Sequence, residues 1–576
     1  MPEYVPLESL PRTVQDVAEE PLKPKDIQHR SSRWFTLEFT FYYLVLAISL
    51  VTVLTSAISF SSGILHSKGS AFKSELFACI ESHPNFHLYS HKLSEGWMFG
   101  KRLVDNSDRQ YSGFRRMLPL AFAMFSLYAI ANQFIINRLL KHSQRTHLIV
   151  RALISVAGIV GIHGWNALKI LTILVGGYAV GKFSAGRSYA QLTTWTFSIL
   201  LLGLLEQGKW DWSWLGLGWL NRWTGIYQGW HVTFNISILR MISFNLDRHW
   251  SLTDQAKLIS KHQTNCKDCE EGRDCERLRL IQPASPDSYN WFAYISYILY
   301  LPLFMAGPIL SFNNFMSQLY KKTPQINFKY IALYGLRLLG SILTLEVLLH
   351  SMWIIAIKDA NAWKGFNPLQ FASLGLMNLF VVWLKLLIIW RFFRFFALCD
   401  GIEAPENMIR CIANNYSGFG FWRGWHRSFN LWIIRYMYIP MGGSATAAWN
   451  VFPIFTFVAL WHDFELKMLI WGWLIAVFLI PELLAQLLAK RTGLDRHPKY
   501  RHYCACAGAA NLLQVTICNM LGFALGLAGT KEMLRKLLTP DSLLFTLAIL
   551  LAYYANVQVA FEVRESERRR GIFRNF

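Results

Sequence analysis

The sequence predicts an all-α integral membrane protein, a polytopic bundle of roughly ten to twelve spans with broken or re-entrant helices among them. Three observations carry that expectation. Of the 576 residues, 53% are hydrophobic and 15% aromatic, and charged residues make up 16%, against about a quarter in soluble domains. Apolar runs long enough to cross a ~30 Å hydrocarbon core, about 20 residues each, recur along most of the chain. Alternating segments of the transmembrane-barrel type are missing, which leaves helices as the spanning structure.

The formal net charge is +21. In a soluble chain that balance would point to nucleic acid. In a membrane chain it points to lysines and arginines in cytosolic loops and at headgroups, with membrane lipids and not nucleic acid as the partner. A basic cytosolic face would also attract an anionic cosubstrate such as a nucleotide-bearing thioester. Nine cysteines are scattered and form no secreted disulfide framework.

Taken in order, residues 1–34 read as a disordered polar tail without a cleaved signal peptide, and residues 35–562 as one transmembrane domain. A first span is expected at 37–59, followed by a polar segment to 114 that packs partly at the membrane surface. Further spans are expected at 117–138, 147–163, 165–182 and 189–206. His163, between two of them, reads as a packing residue. The tryptophan-rich stretch 207–227 reads as interfacial. The run 230–247 holds Asn235, Arg240 and Asn245, which need partners, and so predicts a helix inside the bundle or a re-entrant piece. The hydrophilic loop 248–288 carries His262, Cys266, Cys269 and Cys275. Their spacing matches no recognised zinc finger, so exposed reduced thiols are expected, with a structural metal as the alternative and no metal ligand assigned.

The next span, 289–311, is interrupted by Pro302, Gly307 and Pro308, breaks that are tolerated where backbone lines a cavity. Span 327–357 sets Glu346 and His350 four residues apart on one face. An intramembrane functional pair and a polar contact between helices explain them equally well. Span 371–398 holds Lys385, and Arg391 and Arg394 near its end read as headgroup anchors. Spans at 464–489, 508–528 and 541–560 follow. Residues 563–576 form a basic tail that the positive-inside rule places in the cytosol.

The chemistry concentrates between Gly418 and Trp473, in GFGFWRGWHRSFNLWIIRYMYIPMGG and FTFVALWHDFELKMLIWGW. An apolar run delivers His462 to membrane depth or close to it. A neutral imidazole in a water-poor cavity is a competent general base, and a buried packing histidine is the open alternative. Asp463 and Glu465 stand near enough to orient the ring, although adjacent residues point to different sides. Around His426 lie Trp422, Arg423, Arg427, Asn430 and Arg435. Arginines suit phosphates, and headgroup anchoring explains any single one of them as well. Other chemistries lack their residues: there is no dense histidine box for a di-iron oxidase, no cysteine beside a histidine, and no GxSxG or Walker A sequence. Direct transfer from an activated donor to an acceptor remains.

The stretch WRGWHRSFNLWIIRYMYIPMGG with FVALWHD after it resembles the signature of the membrane-bound O-acyltransferase (MBOAT) family. YLPLFMAGPILSF, RFFALCDGIEAPENMIRCIANNYSGFGFWRGWHRSFN, FEVRESERRRGIF and KRLVDNSDRQY look most like its fungal glycerol-uptake branch, from about Glu38 onward. The resemblance implies an MBOAT-type bundle around a central tunnel, with His462 as the membrane histidine and His426 as the second catalytic position. For this branch it implies remodelling of glycosylphosphatidylinositol (GPI) anchors in the endoplasmic reticulum membrane, with the plasma membrane as a second location. There a very-long-chain acyl group passes from acyl-CoA to the free sn-2 hydroxyl of the lyso-lipid, with no cofactor beyond that cosubstrate. On this reading Asn430, Arg423, Arg427, Arg435, Trp422, Asp463 and Glu465 bind or orient substrate. The competing expectations are a proton-coupled glycerol or polyol transporter, and an MBOAT enzyme acting on another lysophospholipid or on a protein. A transporter built from repeats is disfavoured, because no internal repeat is visible.

Overall fold

The computed structural model describes residues 31–61, 83, 85–100, 102–132, 143–207, 211–252, 256–272, 275–320 and 326–572. Apart from residues 31–34, the expected polar tail lies outside them. Among the described residues, nine helices are long and apolar enough to cross a membrane, from Leu37–Ser61 to Pro540–Arg569, and Ala190–Leu205 is a shorter apolar helix. The only sheet among them is a hairpin pairing Leu93–Glu95 with Leu103–Asp105. The molecule is a multi-pass helical membrane protein.

The bundle is organised around the Trp230–Ser251 helix, which is buried without a break from Ser237 to Asp247. A helix buried on all faces belongs at the centre of a bundle. It packs between Asn166–Ser184 and Ala190–Gln207, and its polar residues have the partners the sequence demanded. Asn235 donates to the Trp461 carbonyl and Asn245 to the Gly177 carbonyl. Arg240 donates to the carbonyls of Ile298 and Leu303, at 2.9 and 2.7 Å. Those two carbonyls flank a break. The expected span at 289–311 is a short helix Trp291–Ile298, a single turn Leu301–Phe304, and non-helical chain up to a further short helix at Phe312–Leu319. The buried guanidinium supplies donors that a continuous helix would have supplied itself.

The other intramembrane charges are matched in the same way. Asp247 accepts from Arg435 at 2.7 Å and from the Tyr436 hydroxyl at 2.9 Å. Asp400 pairs with Arg151 at 3.0 Å and accepts from Tyr300 and Asn132. Glu346 accepts from Tyr111, Arg115 and the Trp97 indole, while His350 accepts the Trp97 backbone N–H. Glu346 and His350 thus fasten the polar segment before Tyr111 to the Phe328–Ser351 helix, which is the contact reading of that pair. His163 bonds the Tyr227 carbonyl and the Thr233 hydroxyl, as a packing histidine should. Lys385 pairs with Asp108 at 2.6 Å.

Several boundaries and one side-chain role differ from the sequence reading. The helix expected to begin at 508 begins at Tyr500, because Arg501 and His502, polar enough to read as loop, are met by Gln558, Glu565 and Tyr554 of the last helix. That last helix runs to Arg569, through much of the stretch expected to be a separate basic tail; Glu567 pairs with Arg410 and Arg564 with Asn414. Arg394 is no headgroup anchor. It is buried, donates to the Ala404 carbonyl at 2.6 Å and faces Glu406.

Removing one member of a buried pair leaves an uncompensated charge, a loss of about 3–5 kcal/mol. Asp247→Ala is therefore expected to lower the thermal unfolding midpoint of detergent-solubilised protein sharply. The double variant Asp247→Leu with Arg435→Met should recover most of that loss, and recovery no better than the single variant would argue against the pairing.

Candidate active site

The segment from Gly401 to Ser417 contains no helix and little regular structure, so its polar groups need specific partners. Met408 and Trp425 form an antiparallel bridge. The Asn407 carbonyl accepts from the Arg427 N–H at 3.1 Å, and the Asn407 side-chain oxygen accepts from the Ser428 N–H at 3.1 Å. The Ser428 hydroxyl accepts in turn from the Ile309 N–H at 2.8 Å. On the other side, the buried Glu482 of the Leu466–Thr492 helix accepts from the Ser417 hydroxyl at 2.6 Å and the Gly418 N–H at 2.8 Å. Gly418 opens the Gly418–Gly424 helix, and a carboxylate there satisfies N–H groups that have no partner within the helix.

Held from both sides, His426 adopts a left-handed conformation, φ 51° and ψ 49°. Few residues other than glycine do so, and such strain persists where the surroundings enforce it. The His426 carbonyl accepts from Phe429 and Asn430 N–H at the start of the next helix. Its ring stacks on Trp390, with centroids 4.5 Å apart and an interplanar angle of 22°.

His462 is the last residue of the Ala447–His462 helix. The preceding residue, Trp461, is fixed to the central helix by reciprocal bonds: its indole donates to the Asn235 carbonyl at 3.0 Å, and the Asn235 amide donates back to the Trp461 carbonyl. The Trp461 ring lies 4.9 Å from the His462 ring and 6.2 Å from the His426 ring. One indole therefore sits against both histidines.

Both histidines line one cavity of about 610 Å³, within the range of small-molecule sites. Apolar side chains make up most of its wall, among them Leu50 of the first helix, Phe380, Phe455, Val458 and Trp471. Trp422, Arg423 and Asn430 also line it, and Arg423 is the only lysine or arginine among its described lining residues. His462 is an exposed residue that lines this cavity. The arrangement offers two imidazoles, three asparagine amides and one guanidinium at the wall of a greasy chamber.

Residues 180–526 match the MBOAT, membrane-bound O-acyltransferase family. The chain belongs to this family. It is 40% identical over 551 residues to the membrane-bound O-acyltransferase GUP1 of Candida tropicalis, covering 94% of this chain and 89% of that protein. It is 36% identical over 564 residues to the membrane-bound O-acyltransferase GUP1 of Saccharomyces cerevisiae, covering 96% and 95%. A 204-residue stretch, 34% of this chain and 40% of the relative, is 28% identical to the mouse protein-cysteine N-palmitoyltransferase HHAT. This MBOAT chain is an acyltransferase.

Four of the residues expected to bind or orient substrate are not brought to the cavity. Arg427 turns away to Glu276, which it meets through both carboxylate oxygens at 2.8 and 3.2 Å. Burial would raise the Glu276 carboxyl, but Arg427 outweighs it and holds the group below its ordinary value. Arg435 is buried against Asp247 and the face of Trp250. Asp463 and Glu465 lie in the short connection between two helices, where the Asp463 N–H donates to the Ala459 carbonyl and Glu465 is exposed. The sequence reading also passed over Asn407, Trp390 and Glu482. Of these only Glu482 left a signal, a lone acid in the apolar run LIAVFLIPELL.

Left-handed backbone costs a side-chain-bearing residue about 1–2 kcal/mol, and glycine nothing steric. His426→Gly is expected to stay within about 1 kcal/mol of the parent in thermal unfolding, with transfer activity lost. His426→Val should lose both, since a β-branched residue resists that conformation. A markedly unstable His426→Gly protein would show that the ring, and not the backbone, holds this loop.

Proposed function

We propose that this MBOAT enzyme transfers a very-long-chain acyl group from acyl-CoA to the free sn-2 hydroxyl of a lyso-GPI lipid, in the endoplasmic reticulum membrane. The observation that carries this reading is the pair of histidines on one apolar cavity, spaced by Trp461. The names of the fungal relatives specify O-acyl transfer, which fits a hydroxyl acceptor. The lipid acceptor and the donor rest on the sequence resemblance and on the cavity's character: apolar walls suit an acyl chain, and a single arginine suits a phosphate.

In this mechanism the acyl chain lies along the apolar wall and the thioester carbonyl sits between the histidines. His462 accepts the proton of the acceptor hydroxyl as its oxygen attacks the carbonyl carbon. His426 and Asn430 orient the thioester and donate to the developing oxyanion, the step at which fixed donors are worth most. The carbon–sulfur bond then breaks, and the CoA thiolate leaves and takes up a proton. Arg423 holds a phosphate of the donor, a role that the sequence reading divided between Arg423 and Arg427.

Purified protein with labelled acyl-CoA and a panel of lyso-lipids tests the reading. The lyso-GPI lipid is expected to be acylated in preference to other lysophospholipids. His462→Ala should fold as the parent does and transfer about 10²–10⁴-fold more slowly. Arg423→Ala should raise the KM for acyl-CoA about tenfold, the loss of one charge-assisted hydrogen bond. Parent-like rates in His462→Ala would remove His462 from the chemistry. Proton-driven glycerol uptake by reconstituted vesicles, with no transfer to any acceptor, would replace the reading with transport.

A further inference from the structure

The loop expected to carry separate, exposed thiols does not. His262 lies in the last turn of the Ala256–Asn265 helix, Cys266 follows that helix, Cys269 lies within the one-turn helix Lys267–Glu270, and Cys275 is buried at the cap of the Glu276–Ile281 helix. Gly272 has φ 68°, a backbone conformation suited to glycine, and Cys275 lies close to the other three residues. One donor atom from each of the four residues lies within 4.8 Å of all the others. The Cys266 and Cys275 sulfurs are 3.8 Å apart, and His262 Nε2 is 3.4 Å from the Cys275 sulfur.

These separations have a specific meaning. Metal–sulfur bonds of about 2.3 Å and a metal–nitrogen bond of about 2.0–2.1 Å make a tetrahedron with S···S edges of about 3.8 Å and N···S edges of about 3.6 Å. A disulfide would instead need sulfurs about 2.05 Å apart and would leave the other two donors without purpose. The loop faces the end of the molecule that the positive-inside rule places on the reducing side: it pairs with the 401–417 segment, and that segment in turn pairs with the basic end of the last helix. Glu276 pairs with Arg427, Arg279 with Glu403, and nearby Arg410 with Glu567. Thiols on that side stay available as ligands.

We propose that His262, Cys266, Cys269 and Cys275 form a tetrahedral structural site for a soft divalent metal, zinc by its donor set. Four protein ligands close the coordination sphere, so the site holds structure and leaves no open position for catalysis. It fixes Cys275, and through it the short helix whose Glu276 grips Arg427, next to His426. Arg279 of the same helix donates to Glu403 and Asn314. The metal thus staples the hydrophilic loop to the segment that sets the left-handed histidine.

The test is metal analysis of the full-length protein, purified in detergent under reducing conditions and passed over a sizing column with a weak chelator. One zinc per chain is expected. The double variant Cys266→Ser with Cys269→Ser should lose it, while Cys506→Ser, an exposed thiol elsewhere, should keep it. If the double variant does not fold, cobalt(II) exchange into the parent decides: tetrahedral thiolate-bound cobalt has an intense visible spectrum, and its absence overturns the site. Metal-free protein with all nine thiols titratable, a Cys266–Cys275 disulfide, or zinc retained by a folded double variant would each overturn it as well. None of these readouts depends on which acyl acceptor the enzyme uses.

Discussion

Irregular backbone inside a membrane bundle is tolerable only where each of its polar groups finds a partner, and the architecture of this protein follows from that constraint. Two pieces of irregular chain approach the cavity: the broken segment around Pro302 and Pro308, and the loop from Gly401 to Ser417. Arg240 satisfies carbonyls of the first. Asn407, Ser428 and Glu482 satisfy the groups around the second. The Ile309 N–H, from the first piece, is bonded to Ser428, beyond the second. The two breaks are therefore solved together, and Ala306 of the first and Ile412 and Ala413 of the second line the cavity.

The same constraint explains why the two histidines sit so differently. His462 ends a regular helix, and its position is inherited from Trp461, whose indole and carbonyl are both tied to Asn235. His426 has no helix to inherit from. It sits at a strained turn that is enforced by bonds to its neighbours on either side and by stacking on Trp390. A rotation of the 426 backbone into an ordinary conformation would break the Arg427 and Ser428 contacts to Asn407. The loop thus holds one imidazole rigidly in a place where a relaxed chain would not put it, an arrangement that fits the proposed role of His426 at a transition state.

Helix content and most spans were legible in the sequence because apolar length alone decides them. The central stretch was legible because an imidazole in a greasy run needs a reason. The polar start of the Tyr500–Asn519 helix was not legible, since Arg501 and His502 become helical only through partners more than fifty positions away. The fates of Arg427 and Arg435 were hidden for the same reason. In the sequence both look like neighbours of His426, whereas their orientations are decided by Glu276 and Asp247, carboxylates distant in sequence. The family resemblance pointed to two histidines that the structure brings to one cavity, but it could not say which of the surrounding arginines faced that cavity.

That redistribution of arginines changes the electrostatics of the chamber. With Arg427 and Arg435 neutralised by carboxylates, the described cavity wall keeps Arg423 as its one guanidinium. A chamber ringed by several cations would hold a polyanionic donor along its whole length and would compete with the acyl chain for the same space. A single cation on an apolar wall instead sets a direction: the charged end of an amphiphile is drawn to one place, and its hydrocarbon occupies the rest. Burial of the other arginines in pairs thus serves twice. It pins the helices, and it keeps those charges away from the described cavity wall.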